Sequence, residues 1–298
     1  MSTYISGATR KQREYFPPDW HGRFTRPVPD AFIPIEVNSF PRLASAEMQQ
    51  VFVDESAVNF NADAPQPFMY VMAAVLAEGQ RAHSLNQAVH SLNLKAVPEN
   101  RNKNTYPEHV MHACPYAQRA GTDQAKLKKS MMQRMHHLTA KYALLCPVVV
   151  WLEDPVEHSL RVAEGKSFGD YEPPRDECLD TLGAFCAHVA PLLESMEFDE
   201  QNESASARDI RVLTERYEQC PQCLMPRFMH CHTDEDERLC AADFVAWSVQ
   251  RLLCSLEDEA HMLDEDVPLL LVDARTQLVY PSVAAFMDAH RMSHRLAH

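Results

Sequence analysis

The sequence predicts a mainly α-helical protein: a helical, bundle-like core, a small β-hairpin near the C-terminus and an extended, proline-rich N-terminal arm. Three observations carry that reading. Seven glycines in 298 residues is about a third of the usual share, and tight hairpins depend on glycine because only it takes positive φ cheaply. Apolar side chains recur at spacings of three and four through several long segments, as one face of a helix requires. Eight of the twenty prolines fall within residues 1–67, where their fixed φ and missing donor favour extended chain.

Taken in order, residues 1–67 form the arm, which interleaves its prolines with Tyr4, Tyr15, Phe16, Trp20, Phe24, Phe32 and Phe40. Aromatics at that density suit a segment that lies along a surface better than a solvated tail. Residues 68–94 read as one or two helices broken near Gly79. A loop rich in Asn and Pro follows to about Gly121. Thr122–Leu145 places Leu127, Met131, Met135, Leu138 and Tyr142 on one stripe, with Pro147 ending it. Val148–Leu152 is short and apolar and reads as a buried strand. Asp176–Glu197 aligns Leu179, Leu182, Cys186, Val189, Leu193 and Met196, with Pro191 as a kink. Ser204–Gln219 is a shorter helix. Thr233 is placed to cap the next helix, which runs to about Leu263. Leu269–Asp273 and Leu278–Tyr280 form the expected hairpin, and a last helix covers Ser282–Arg291. This divides the chain into an arm (1–67), a helical domain (68–203) and a C-terminal helical unit (204–298).

Composition bounds the function. No apolar run approaches the length needed to cross a bilayer, so membrane insertion is not expected. Nine cysteines at irregular spacing do not resemble a disulfide framework, and reduced thiols point to an intracellular, cytoplasmic or cytoskeletal protein. Arg10, Lys11 and Arg13, with no acid before Glu14, give a mitochondrial presequence as the alternative. The net charge of −14 argues against a general nucleic-acid binder. That charge is segmented, however: residues 95–141 carry nine Lys and Arg against three acids, whereas 153–203 carry fourteen acids against three bases.

The strongest chemical motif is Cys220-Pro-Gln-Cys223, followed by His230, Cys231, His232 and Cys240. Two thiolates two residues apart form one jaw of a tetrahedral zinc site, and two of the later four residues would form the other. A redox role for the same pair is the weaker alternative, since the preceding segment reads as helix rather than strand. Asp258-Glu259-Ala260-His261 and Gly165-Lys166-Ser167 are fragments of nucleotide-binding motifs without the glycine-rich loop that gives them meaning. His136–His137, His109/His112 and His290/His294 lack a carboxylate or cysteine at matching spacing. No motif names a catalytic residue.

These readings point first to a structural or adaptor subunit of a larger protein assembly, cytoskeletal, axonemal or organellar. It would bind partner proteins through Tyr15, Phe16, Trp20, Phe24 and Phe32 of the arm, and through a basic face carrying Lys126, Lys128 and Lys129. One alternative is a zinc-binding regulatory module centred on Cys220–Cys240. The other is an enzyme with no readable motif, whose mark would be a polar site with perturbed titratable groups.

Overall fold

A computed structural model describes residues 35–36, 42–43, 47–58, 63, 68–96, 111, 113, 134–135, 137–153, 155–167, 172–199, 203–233, 235–257 and 276–280. The architecture is α/β, a mixed sheet between helices, which overturns the expected helical bundle. Strands β1 (Ile35–Glu36), β2 (Gln49–Val58), β3 (Met69–Glu78), β4 (Cys146–Leu152), β5 (Leu193–Asp199), β6 (Arg227–Cys231) and β7 (Thr276–Tyr280) form one sheet in the order β1-β7-β4-β3-β2-β5-β6. The centre is an antiparallel meander of β2, β3 and β4. β5 then adds parallel to β2, and β6 parallel to β5.

β3 shows why the periodicity misled. Its sequence, Met-Tyr-Val-Met-Ala-Ala-Val-Leu-Ala-Glu, is buried from Met69 to Ala77. Met69, Val71, Ala73, Val75 and Ala77 belong to one core, and Tyr70, Met72, Ala74 and Leu76 to the core on the other face. A strand covered on both faces needs no polar alternation and reads as a continuous apolar run, which a helix equally allows. The helix expected over 68–94 therefore begins only at α1 (Gly79–Ala96). The stripe through 176–197 likewise divides into α3 (Glu172–Val189) and β5, parted at Pro191. The expected strand at Val148–Leu152 is present as β4. The expected C-terminal hairpin is not: β7 pairs parallel to β4 and to β1, and residues 269–273 lie outside the described residues.

One face carries α1 and α5 (Leu239–Glu257), whose Leu85, Val89, Leu92, Ala242, Val245 and Val249 enter its core. The other carries α3 and α4 (Glu203–Glu218), through Leu179, Leu182, Phe185, Leu213 and Tyr217. Strands from either side of residue 203 share the sheet, since β6 pairs with β5.

A shorter helix, α2 (Pro155–Ala163), is fastened to the sheet by the buried Glu153. This carboxylate accepts from the Phe68 N–H at 2.8 Å, from Arg161 Nε at 2.7 Å and from Arg161 Nη2 at 3.0 Å. Glu153→Gln weakens the Arg161 pair while keeping an acceptor for Phe68, and should cost about 2 kcal/mol of unfolding free energy. Denaturant melts of the two proteins check it.

Candidate metal centre

The alternation of β2 sorts its side chains. Phe52 points to the α1/α5 core and Val51 and Val53 to the α3/α4 core. By the same period Asp54 and Ser56 face α5, while Glu55 faces α3. The hydrogen bond from Ser56 Oγ to Gln250 Oε1 of α5 (3.1 Å) and the pair between Arg175 of α3 and Glu55 confirm the two directions.

The parallel register of β2 and β5 ends at Val53↔Phe198. One residue further, Asp54 and Asp199 stand on neighbouring strands, about 4.8 Å apart in the backbone, and both face α5. Asp243, on α5, lies near enough to Asp54 to raise its carboxyl. Asp54 is buried at 8% exposure, Asp243 is buried at 9%, and Asp199 is half-buried, so the group opens toward solvent on the Asp199 side. Backbone and hydroxyl donors orient all three. Glu55 N–H donates to Asp54 Oδ1 at 2.7 Å, Thr233 Oγ1 to Asp199 Oδ1 at 2.8 Å, and Ala113 N–H to Asp243 Oδ2 at 2.7 Å.

Electrostatics single out this group. Burial pushes the Asp54 carboxyl well above the usual carboxylate range, and the charges of Asp243, Glu55 and Asp199 push it further in the same direction. Among the described residues six acids are buried: Asp54, Glu153, Glu197, Asp209, Asp236 and Asp243. Glu153 bonds Arg161, Asp209 bonds Arg175, and Glu197 and Asp236 share Arg238. Asp54 faces carboxylates instead. The fold supplies arginines to four of its buried carboxylates and places Asp243 and Asp199 near Asp54. Among the described residues only Glu197, Cys231 and Asp236 bring three ligand atoms within 4.8 Å. Asp54, Asp199 and Asp243 stand further apart, so closing them on a hard ion such as Mg²⁺ or Mn²⁺ would need their side chains to move inward.

Two further polar clusters flank it. On the same face Glu197, Cys231 and Asp236 bring their ligand atoms within 4.8 Å of one another, a set that could hold a metal ion. Burial raises Glu197 to about 7, and its bond to Asp236 adds to the rise against the pull of Arg238. On the opposite face Arg175 bonds Asp209 through Nε (3.0 Å) and Nη2 (2.8 Å), Glu55 at 2.5 Å and the Tyr70 hydroxyl at 3.2 Å. Burial would raise Asp209, but bonds from His230 and Arg175 outweigh it and hold the carboxyl below its usual range.

The residues proposed from sequence as zinc ligands are spread over the fold. Cys220 and Cys223 sit in the turn between α4 and β6, against the α3/α4 core, with Cys223 Sγ donating to the Ala187 carbonyl at 3.0 Å. Burial and the neighbouring Cys220 push the Cys223 thiol up to about 12. His230 faces the same side, stacked on Phe198 with Nε2 3.0 Å from Asp209. Cys231, one residue on, packs against the opposite core, as strand alternation demands. His232 is exposed, and Cys240 is fully buried in α5 beside Asn93. Of the six, Cys231 alone joins the Glu197–Asp236 cluster. Thr233, expected as a helix cap, instead bonds Asp199. Tyr15, Phe16, Trp20, Phe24, Phe32, Lys126, Lys128 and Lys129, the expected partner contacts, lie outside the described residues.

Asp54, Asp199 and Asp243 were missed from sequence, although two of them carried a signal. Asp54 interrupts the alternating Val51-Phe52-Val53, and Asp243 interrupts the apolar run Leu239–Ala246. An acid inside such a run has a partner, a proton or a cation to justify its burial.

No described helix is long and apolar enough to cross a membrane. No family model matches the chain, and no curated protein matches it. Among solved structures, ribonuclease H2 from Pyrococcus horikoshii OT3 aligns over 74% of this chain and 83% of its own, at 10% identity and a TM-score of 0.38.

Proposed function

We propose that this chain is a divalent-cation-dependent hydrolase of phosphoester bonds, with Asp54, Asp199 and Asp243 as the cation ligands. The observation that carries the reading is Asp54, a buried acid on a central strand that faces the α5 side of the sheet with Asp243 and Asp199 near it. When bound, Mg²⁺ or Mn²⁺ lowers the pKa of water and neutralises charge on phosphoryl oxygens. The three aspartates, delivered by two strands and a helix, are the residues that would hold that ion, and the half-buried Asp199 would leave one side of it open to substrate. In the proposed reaction water is the nucleophile: its oxygen bonds phosphorus, the ester P–O bond breaks, and the proton lost by the water ends on the leaving alcohol oxygen.

The substrate class rests on the chemistry of the ion. Mg²⁺ held by a few carboxylates characteristically takes its remaining ligands from phosphates. Near this site Ala113 N–H donates to Asp243, and Met111 N–H donates to Asn93 Oδ1 at 3.2 Å.

The test is hydrolysis of bis-nitrophenyl phosphate and of labelled single- and double-stranded oligonucleotides, with MnCl₂, MgCl₂ or chelator. Turnover should require the cation, and Asp243→Asn should lower it at least about 100-fold, beyond what loss of an outer-shell group costs. A wild-type protein inert with both ions, or an equally active Asp243→Asn, would sink the reading. A second reading, a subunit of a protein assembly, is supported by α2, which exposes Val156, Leu160 and Val162. Gel filtration of native extracts, with the chain at its monomer volume, would count against it.

A further inference from the structure

We propose that Glu197, Cys231 and Asp236 form a separate binding site for a thiophilic divalent cation of the zinc type, which pins the loop between β6 and α5. The ligands come from three places: a strand interior, the last residue of β6 and the loop after it. Their donor atoms lie within 4.8 Å of one another. A tetrahedral ion with bonds of about 2.0–2.3 Å holds its ligands roughly 3.3–3.8 Å apart, so closure needs side-chain shifts of about an ångström.

The charge also fits. Bound to a metal the three ligands bring three negative charges, and Arg238 supplies one positive charge, bonding both Asp236 and Glu197. The difference is two, the charge of the ion. Arg238 need not leave, because its guanidinium is held from outside the triad: it lies over the Phe52 ring at 4.2 Å and donates to Gln50 Oε1 at 2.9 Å. An outer shell is already built, with the buried Ser195 hydroxyl donating to Glu197 Oε1 at 3.0 Å and Arg238 orienting Asp236. Such groups fix ligand orientation in metal sites. The sulfur separates this site from the aspartate cluster, since thiolate selects zinc or cadmium over magnesium or manganese.

The loop so pinned includes Thr233, whose hydroxyl holds Asp199. Occupancy would therefore steady one of the aspartates of the other site, although the proposal does not depend on that site's activity.

The experiment treats the full chain with chelator, then titrates it with CdCl₂ while recording the ultraviolet charge-transfer absorption of thiolate–cadmium bonds. One equivalent should saturate the band. Cys231→Ser should abolish it, and Glu197→Gln should weaken binding by more than about 10-fold. The double variant Cys220→Ser/Cys223→Ser and, independently, Asp54→Asn should both retain it, and MgCl₂ should not compete. No band in the wild type overturns the proposal. So does a band that survives Cys231→Ser or vanishes in the Cys220/Cys223 double variant, which would move the site to the turn before β6.

Discussion

Asp54→Asn will stabilise the protein in cation-free buffer while abolishing its response to Mg²⁺ and Mn²⁺. The stabilising half follows from the sign of the Asp54 shift. Burial, and then the charges of Asp243, Glu55 and Asp199, raise this carboxyl in the folded state. An acid raised on folding binds its proton more tightly folded than unfolded, so stability falls as pH rises from near the ordinary value of 3.8 through the folded value. Asparagine removes that slope. The gain at neutral pH should be about 1–2 kcal/mol, the range typical of relieving a destabilised functional position. The wild type should recover it when Mn²⁺ is added, since a ligand that binds only the folded state stabilises by mass action. Melting temperatures of both proteins between pH 4 and pH 8, with and without MnCl₂, check the pattern. Equal melting temperatures with a parallel response to Mn²⁺ would contradict it.

Arg175→Met will produce the opposite outcome, a large loss of stability. Arg175 is 9% exposed and holds Asp209, Glu55 and the Tyr70 hydroxyl, so its removal strands two carboxylates beneath α3. Breaking a buried pair by deleting one partner costs about 3–5 kcal/mol, a fall of roughly 10 °C in melting temperature for a chain of this size. The pH dependence should change too. Asp209 is held low in the wild type, so its contribution is present above the unfolded carboxylate pKa and is lost as pH falls through the lowered folded one. In Arg175→Met that contribution shrinks, with His230 left to hold the carboxyl, and the loss of stability in acid is correspondingly smaller. Denaturant melts at neutral and acid pH measure both effects. A cost below about 1 kcal/mol would show that the network is dispensable.

Burial pattern decided which parts of the fold were legible in the sequence. β4 was visible because Pro147 and the apolar run after it leave little room for a helix. α4 was visible because its buried Asp209, Leu213 and Tyr217 keep a helical stripe. β3 and β5 were not. Met69–Ala77 is buried on both faces, and Leu193–Asp199 follows α3 so closely that Leu193 and Met196 extend the helix's own stripe across Pro191. Scarce glycine was read as scarce sheet, yet the parallel connections of β2 to β5 and of β5 to β6 need helical crossovers rather than tight hairpins.

The site was hidden for a related reason. Metal-ligand searches by spacing find residues that one turn or one helix brings together, as Cys220 and Cys223 suggested. Asp54, Asp199 and Asp243 come from two strands and a helix separated by long stretches of chain, and no spacing in the sequence relates them. The alternation of β6 also separates His230 from Cys231, a division invisible until that segment is known to be a strand.

The most direct test of the aspartate centre is a crystal of the protein soaked in MnCl₂, with data collected for manganese anomalous scattering. A peak about 2.0–2.3 Å from carboxylate oxygens of Asp54, Asp199 and Asp243, lost in Asp54→Asn crystals, is the expected result. Manganese bound elsewhere with none at these three residues would contradict the account.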